Sequence, residues 1–261
     1  MTQTRHAVPV SLDGMVVLVT GGNRGIGRAV VELFAARGAT LVVQFRADRQ
    51  AADDTLAALP AGDHLVVPAD ITDPEQVRSL IQRVIHELGR IDVLVNNAGI
   101  YQEHPILETS YEDWQRIWRQ TIETNLIGPA NLLHAVVPHM DAAGGGRIVN
   151  VSSRGAFRGE PSHPAYGASK AGLNSLGQSM ARALGRHGIY VTTVAPGYVE
   201  TDMAASFLQG VRGDAIRAQS PLNRAATAQE VARVVVFLAT PGAEYMTGAI
   251  VDVNGASYLR T

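Results

Sequence analysis

Short β-branched apolar runs alternate along the chain with longer stretches whose apolar residues recur at helical spacing. That alternation predicts a parallel sheet covered by helices on both faces. Seven runs qualify as strands: Val16 to Thr20, Thr40 to Phe45, His64 to Pro68, Ile91 to Val95, Arg147 to Val151, Tyr190 to Ala195 and Ala249 to Val253. Helices are expected to begin near Arg24, Arg49, Pro74, Tyr111, Pro164 and Thr227; Asp73-Pro74, and Thr227 three residues before Glu230, are start signals. The glycine-rich piece Ala142 to Gly146 reads as a helix-terminating loop. No linker or repeat divides the chain, so one α/β domain of the doubly wound, Rossmann type is expected from residue 13 onward, after a flexible tail over Met1 to Leu12. The longest poorly patterned stretch, Gly197 to Pro221, follows a strand end, where a doubly wound sheet binds ligands, and is expected to act as a lid.

Composition narrows the chemistry. The 261 residues are 46% hydrophobic, enough for a large core, and 22 basic against 24 acidic side chains give no reason to expect nucleic acid or a membrane as partner. No run of about 18 apolar residues suggests a membrane span, and the first dozen residues lack the apolar run of a secretory signal. The absence of cysteine removes disulfides, thiolate nucleophiles and cysteine-bound zinc, which fits a cytoplasmic protein whose redox chemistry, if any, comes from a cofactor. His163 has no companions at metal-ligand spacing, so no metal site is indicated.

The first strand runs into Gly21-Gly22-Asn23-Arg24-Gly25-Ile26-Gly27, and a helix follows. Glycines there permit close approach of backbone amides to a pyrophosphate at the helix start, although such glycines equally serve tight packing. The turn lacks the Gly-Lys-Ser/Thr ending of an ATP-binding loop. At the end of the second strand stands Arg46, where an acidic residue would accept the ribose 2′-hydroxyl of NAD; an arginine suits the 2′-phosphate of NADP, and Arg24 can reinforce it. Either arginine alone reads equally as a solvated surface charge. Together they favour NADP(H), with NAD(H) the alternative.

Further along come Asp70, Asn96-Asn97-Ala98-Gly99, Asn125, Ser152-Ser153, Tyr166 with Lys170, and Pro196-Gly197. With the glycine turn ahead of it, this ordered set resembles the short-chain dehydrogenase/reductase family from about Leu12 to Ser257, and within it the branch of the 3-oxoacyl-carrier-protein reductases. The resemblance implies a seven-stranded parallel sheet, a homo-oligomer (tetramer or dimer), and a catalytic set of Asn125, Ser153, Tyr166 and Lys170. It further implies that Asp70 contacts adenine and that Asn97, Ala98 and Gly99 shape the cofactor wall. The wall is expected to include Gly21, Asn23, Arg24, Gly25, Ile26, Gly27, Arg46 and Ile71, and also Pro196, Gly197, Val199 and Thr201 beside Tyr166 and Lys170.

Residue chemistry supports the catalytic reading beside the resemblance. Tyr166 and Lys170 lie four apart in a helical segment, so an ammonium faces a phenol that otherwise titrates near pH ~10, and it is expected to make the phenol more acidic. Ser153, at a strand end, can hydrogen-bond the substrate oxygen while Tyr166 exchanges a proton and nicotinamide exchanges a hydride. Asn125 belongs, by resemblance, to a proton relay ending at Lys170. The expected activity is NADP(H)-dependent interconversion of a carbonyl and an alcohol. An NAD-dependent alcohol dehydrogenase and a non-catalytic nucleotide sensor on the same fold are the alternatives.

The chain also departs from the family. The helix from Trp114 to Asn125 is about one turn longer, which nearly preserves helical phase, and Trp114 and Trp118 in it are expected to pack. Asn254-Gly255-Ala256 stands in place of a frequent double glycine. Asp141 to Gly146 carries no lysine or arginine, and beyond Arg186 and His187 little basic surface is evident for an acidic carrier protein. A small free carbonyl or a sugar-, polyol- or steroid-like alcohol is therefore favoured as substrate. Tyr101, Arg154, Phe157, His163 and Tyr198 are candidates to line its pocket.

Overall fold

The computed structural model describes residues 11–260. The tail expected over Met1 to Leu12 lies outside the described residues up to position 10. Leu12 itself belongs to the body of the protein: it is 1% exposed, and its N–H donates to the carbonyl of Arg37 at 2.8 Å.

The strands are β1 (Val16–Thr20), β2 (Thr40–Phe45), β3 (Leu65–Pro68), β4 (Val93–Asn96), β5 (Gly146–Val151), β6 (Ile189–Pro196) and β7 (Ile250–Val253). They form one seven-stranded sheet in the order β3-β2-β1-β4-β5-β6-β7, with every pairing parallel. The helices are α1 (Gly25–Ala35), α2 (Arg49–Ala57), α3 (Pro74–Leu88), α4 (Tyr111–Ile122), α5 (Gly128–Ala142), α6 (Gly155–Arg158), α7 (Pro164–Leu184), α8 (Asp202–Ala205), α9 (Gly210–Arg217) and α10 (Ala228–Leu238).

Strand side chains alternate between the two faces, and both faces are buried. Val17 and Val19 of β1 join the core beneath α1 and α10, whereas Val16 and Leu18 join the one beneath α3, α5 and α7. This explains why the strands read as continuous apolar runs. Helix starts are locally encoded. Asp73 accepts from the N–H groups of Glu75 and Gln76 ahead of α3, and Thr227 and Glu230 form a reciprocal capping box at α10.

Differences from the sequence reading sit at element ends. His64 precedes β3, its Nδ1 accepting the Leu41 N–H at 3.0 Å, and Ile91 precedes β4. Arg24 is the N-cap residue of α1, not its first turn. The stretch 197–221 contains α8 and α9, too short to show a period.

The largest departure is in the long rod that starts at Tyr111. Between α4 and α5 the chain makes a π turn, Glu123–Ile127, and Asn125 sits in it. Buried positions along the rod recur every four residues, at Ile117, Thr121, Asn125, Pro129 and Leu133. A regular α-helix has 3.6 residues per turn, so a four-residue row drifts by about 40° at each step. The wider π turn takes up an extra residue and brings the row back over the core. Asn125 thus owes its aim to this local widening. Trp114 and Trp118 pack together with ring centroids 5.8 Å apart, and Trp114 meets His104 edge-on at 5.4 Å.

Candidate active site

The carboxyl ends of the strands open into a cavity of about 360 Å³ that runs from the β1–α1 turn past β4 and β5 to α8. At one end the turn is held by its neighbours. Gln44, a polar residue in the middle of buried β2, accepts the Gly21 N–H at 3.0 Å through Oε1 and donates to the Ala69 carbonyl at 2.6 Å. Asn23 Nδ2 donates to the Asp48 carbonyl, and Asn97 Nδ2 donates to the carbonyls of Thr20 at 2.8 Å and Gly21 at 3.2 Å. Two glycines of the turn are sterically required. Gly25 has φ +53°, and a Cβ on Gly27 would come within 2.1 Å of the Gly21 carbonyl oxygen.

Gly21, Asn23, Arg24, Gly25, Ile26, Arg46, Asp70, Ile71, Asn97, Ala98, Gly99, Pro196, Gly197, Val199 and Thr201 all line this cavity, together with Ser153, Tyr166 and Lys170. Gly27 does not; its role is the close packing of α1 on the turn. Arg24 and Arg46 are exposed at the mouth, and neither takes part in the ion pairs found among the described residues. Asp70 Oδ1 accepts from the N–H and hydroxyl of Thr72 at 2.9 and 2.8 Å, which fixes the carboxylate beside the cavity. A cradle of backbone without side chains, followed by two free guanidinium groups, fits a dinucleotide with an extra phosphate.

At the other end, β5 delivers Ser153 and α7 delivers Tyr166 and Lys170. The hydroxyl of Ser153 stands beside that of Tyr166, and Ser153 Oγ accepts the Gly155 N–H at 3.0 Å. Lys170 is 4% exposed; its Nζ donates to the Val151 carbonyl at 2.8 Å and lies 5.8 Å from the Tyr166 ring centre. Burial brings the Lys170 pKa down to about 8.

The acidic phenol expected from the Tyr166–Lys170 spacing is not found in the protein alone. Burial pushes Tyr166 up to about 12; the Ser153 hydrogen bond opposes the shift, and the negative side of Glu160 and Tyr198 adds to it. Desolvation outweighs an ammonium whose hydrogen bond points at a backbone carbonyl instead of at the phenol.

Asn125 is fully buried behind the cavity, not in its wall. It accepts the Ile100 N–H at 2.9 Å and donates to the Ile100 carbonyl at 3.0 Å and to Ser169 Oγ at 3.1 Å. It therefore ties the chain after β4 to α7.

Among the pocket candidates, Tyr101, Arg154 and Tyr198 line the cavity, whereas Phe157 and His163 do not. Phe157 lies beneath the Arg260 guanidinium at 4.4 Å. His163 stacks flat on Tyr101 at 3.7 Å, and burial lowers its pKa to about 4, which makes it a neutral support for that ring. The sequence reading passed over Gln44, Thr124, Glu160, Met203 and Phe207, all in the wall. Gln44 carried a signal, a lone amide inside a buried strand; Glu160, Met203 and Phe207 stand in unpatterned segments and carried none. Among the described residues no three His, Asp or Glu side chains converge as metal ligands, and no helix is long and apolar enough to cross a membrane.

Comparison with known proteins agrees with this arrangement. A family model described as enoyl-(acyl carrier protein) reductase matches residues 21–256. The chain is 38% identical over 252 residues to the 3-oxoacyl-[acyl-carrier-protein] reductase FabG of Escherichia coli (strain K12), covering 96% of this chain and 100% of that one. It is 37% identical over 246 residues to the FabG reductase of Thermotoga maritima, covering 94% and 98% of the two chains. The corresponding protein of Staphylococcus aureus (strain Mu50) is 34% identical over 244 residues, covering 93% and 97%. The parallel sheet, the glycine turn and the Ser153–Tyr166–Lys170 cluster thus sit in a chain that belongs to the short-chain dehydrogenase/reductase family and is an oxidoreductase.

Proposed function

We propose that the chain interconverts a carbonyl and a secondary alcohol with NADP(H), and that Tyr166 is the acid/base. The observation that carries this reading is the convergence of Ser153, Tyr166 and Lys170 in the wall of one cavity whose far end holds Arg24 and Arg46. The nicotinamide, when bound, supplies or accepts the hydride.

The protein's own groups do the rest. Arg46 and Arg24 pair with the 2′-phosphate, and Asp70 meets the adenine. Ser153 and Tyr166 together donate hydrogen bonds to the substrate oxygen. With a pKa near 12 the Tyr166 phenol holds its proton at neutral pH, so it is ready to protonate the developing alkoxide during reduction. Lys170 binds the ribose hydroxyls and presents positive charge below the phenol, while Asn125 holds the backbone at Ile100 and α7 in register. The segment 197–221 acts as a lid, with Met203 and Phe207 excluding water over the reacting atoms.

A free carbonyl compound fits better than a carrier-bound one. Arginines of the lid are paired, Arg212 with Glu103 at 3.3 Å and Arg217 with Asp214 at 2.6 Å, so the lid itself offers an acidic carrier little free positive charge. The relatives' names point instead to 3-oxoacyl thioesters on acyl carrier protein, and that is the competing substrate. A homo-oligomer and a cytoplasmic location complete the reading.

The test is initial-rate kinetics with NADPH and NADH against free ketones and a 3-oxoacyl carrier-protein thioester, with wild type and Tyr166→Phe. Turnover preferring NADPH and free ketones, lost in a Tyr166→Phe protein that still binds NADPH, is expected. Turnover retained in Tyr166→Phe removes it as the acid; strong preference for the thioester overturns the substrate choice.

A further inference from the structure

Beyond the hydroxyl pair, the substrate end of the cavity is walled by the rings of Tyr101, Tyr198 and Phe207, with two opposite charges, Arg154 and Glu160, set among them. Arg154 is already committed. It is 3% exposed, one Nη donates to Gln219 Oε1 at 2.6 Å, and its guanidinium lies over the Tyr198 ring at 5.1 Å.

Glu160 is not. It stands half-buried in the cavity wall and takes no part in the ion pairs found among the described residues. Its carboxyl packs over Gly155, where a Cβ would come within 2.6 Å of Oε1. The Tyr101 hydroxyl stands beside it and the Tyr198 hydroxyl beside that, so three oxygens follow one another along the wall. The Tyr101 ring stands edge-on to that of Tyr166 at 4.7 Å, which brings this row next to the reacting hydroxyls.

The chemistry of the row limits what can lie against it. An unbroken acyl chain would bury the carboxylate further without giving it a donor, a penalty that burial already shows by raising the Glu160 pKa. A cationic substrate would gain Glu160 but face Arg154. Hydroxyl groups both donate and accept, and the faces of Tyr101 and Phe207 suit the C–H surface of the same molecule. Resting on the oxidoreductase reading above, we infer that Glu160 and Tyr101 select a neutral carbonyl substrate bearing further hydroxyl groups, a polyhydroxylated ketone or its polyol.

The experiment compares kcat/KM for a polyhydroxylated open-chain ketone with that for the deoxygenated methyl ketone of equal length. It uses NADPH with wild type, Glu160→Leu and Tyr101→Phe, and NADPH binding by fluorescence serves as the fold control. Wild type is expected to prefer the hydroxylated ketone, and Glu160→Leu to lose roughly tenfold of that preference, mainly through KM, as for one charge-assisted hydrogen bond. Tyr101→Phe is expected to lose a smaller part and provides the same reading if Glu160→Leu fails to bind NADPH. Wild-type indifference to the added hydroxyls, or a preference unchanged in a variant that binds NADPH, overturns the inference and leaves the oxidoreductase reading standing. No turnover of any ketone overturns both.

Discussion

His104 Nε2 accepts the backbone N–H of Ala165 at 3.2 Å, one residue before Tyr166, and its Nδ1 donates to the Gln102 carbonyl at 2.8 Å. The N-cap residue of α7, His163, gives the helix no side-chain hydrogen bond, so a remote imidazole, 1% exposed, does that work. Only a neutral ring can donate at one nitrogen and accept at the other. His104→Ala is expected to leave two buried polar groups without partners and to lower stability by about 2 kcal/mol in urea titration. His104→Gln, which keeps a donor and an acceptor, is expected to recover part of the loss. Equal stability of the alanine variant and wild type would remove the imidazole as a cap.

Lys170 gives a pH dependence of definite sign. Its pKa falls from the ordinary 10.5 to about 8 on burial, so between those values the unfolded chain binds more protons than the folded one. The Lys170 contribution to stability therefore rises with pH through that window, and below about 8 the buried ammonium opposes folding by a constant amount. Urea midpoints of the cofactor-free protein, taken from pH 7 to 10, are expected to lose this rising component in Lys170→Met. Parallel curves for the two proteins would contradict it.

Arg46 is the sharpest test of coenzyme choice because it is exposed at the cavity mouth directly after β2. Arg46→Asp is expected to shift the kcat/KM ratio of NADPH to NADH by ten- to a hundredfold towards NADH, the range of a lost charge-assisted hydrogen bond (about 1.5–3 kcal/mol). Stability should hardly change, since no ion pair is lost. An unaltered ratio would make Arg46 a solvated charge.

Ala256 has φ +56°, a left-handed conformation that a Cβ disfavours by about 1–2 kcal/mol. Ala256→Gly relieves that strain but loosens the unfolded chain, which returns part of the gain. A net stabilisation of about 0.5–1 kcal/mol is expected, read as a higher thermal midpoint; a lower midpoint would refute it.

Which parts could be read from the sequence follows from how each is encoded. The strands were legible because both of their faces are buried, and Val16 through Val19 show this as an unbroken apolar run. That Ser153, Tyr166, Lys170 and the glycine turn would meet in one cavity was legible because they occur in a fixed order on elements whose ends meet at one sheet edge. Glu160 and Phe207 were not, because each is placed by tertiary contact from a segment without a period. The acidity of Tyr166 was misjudged for a related reason. A spacing of four residues tells which face Lys170 shares, but not that its Nζ would turn to Val151 or how deeply the phenol would be buried.

The widened turn at Glu123–Ile127 makes the rod around it intolerant of single-residue changes in length. Deleting one residue there would let ordinary α-helical bonding run through with the flanking helices still nearly in phase, but it would remove the widened turn that aims Asn125. Leu132, Val136 and Met140 would stay on the sheet while Asn125 lost its hold on Ile100. A single residue inserted elsewhere along the rod, with no widened turn to absorb it, would swing everything beyond by about 100°.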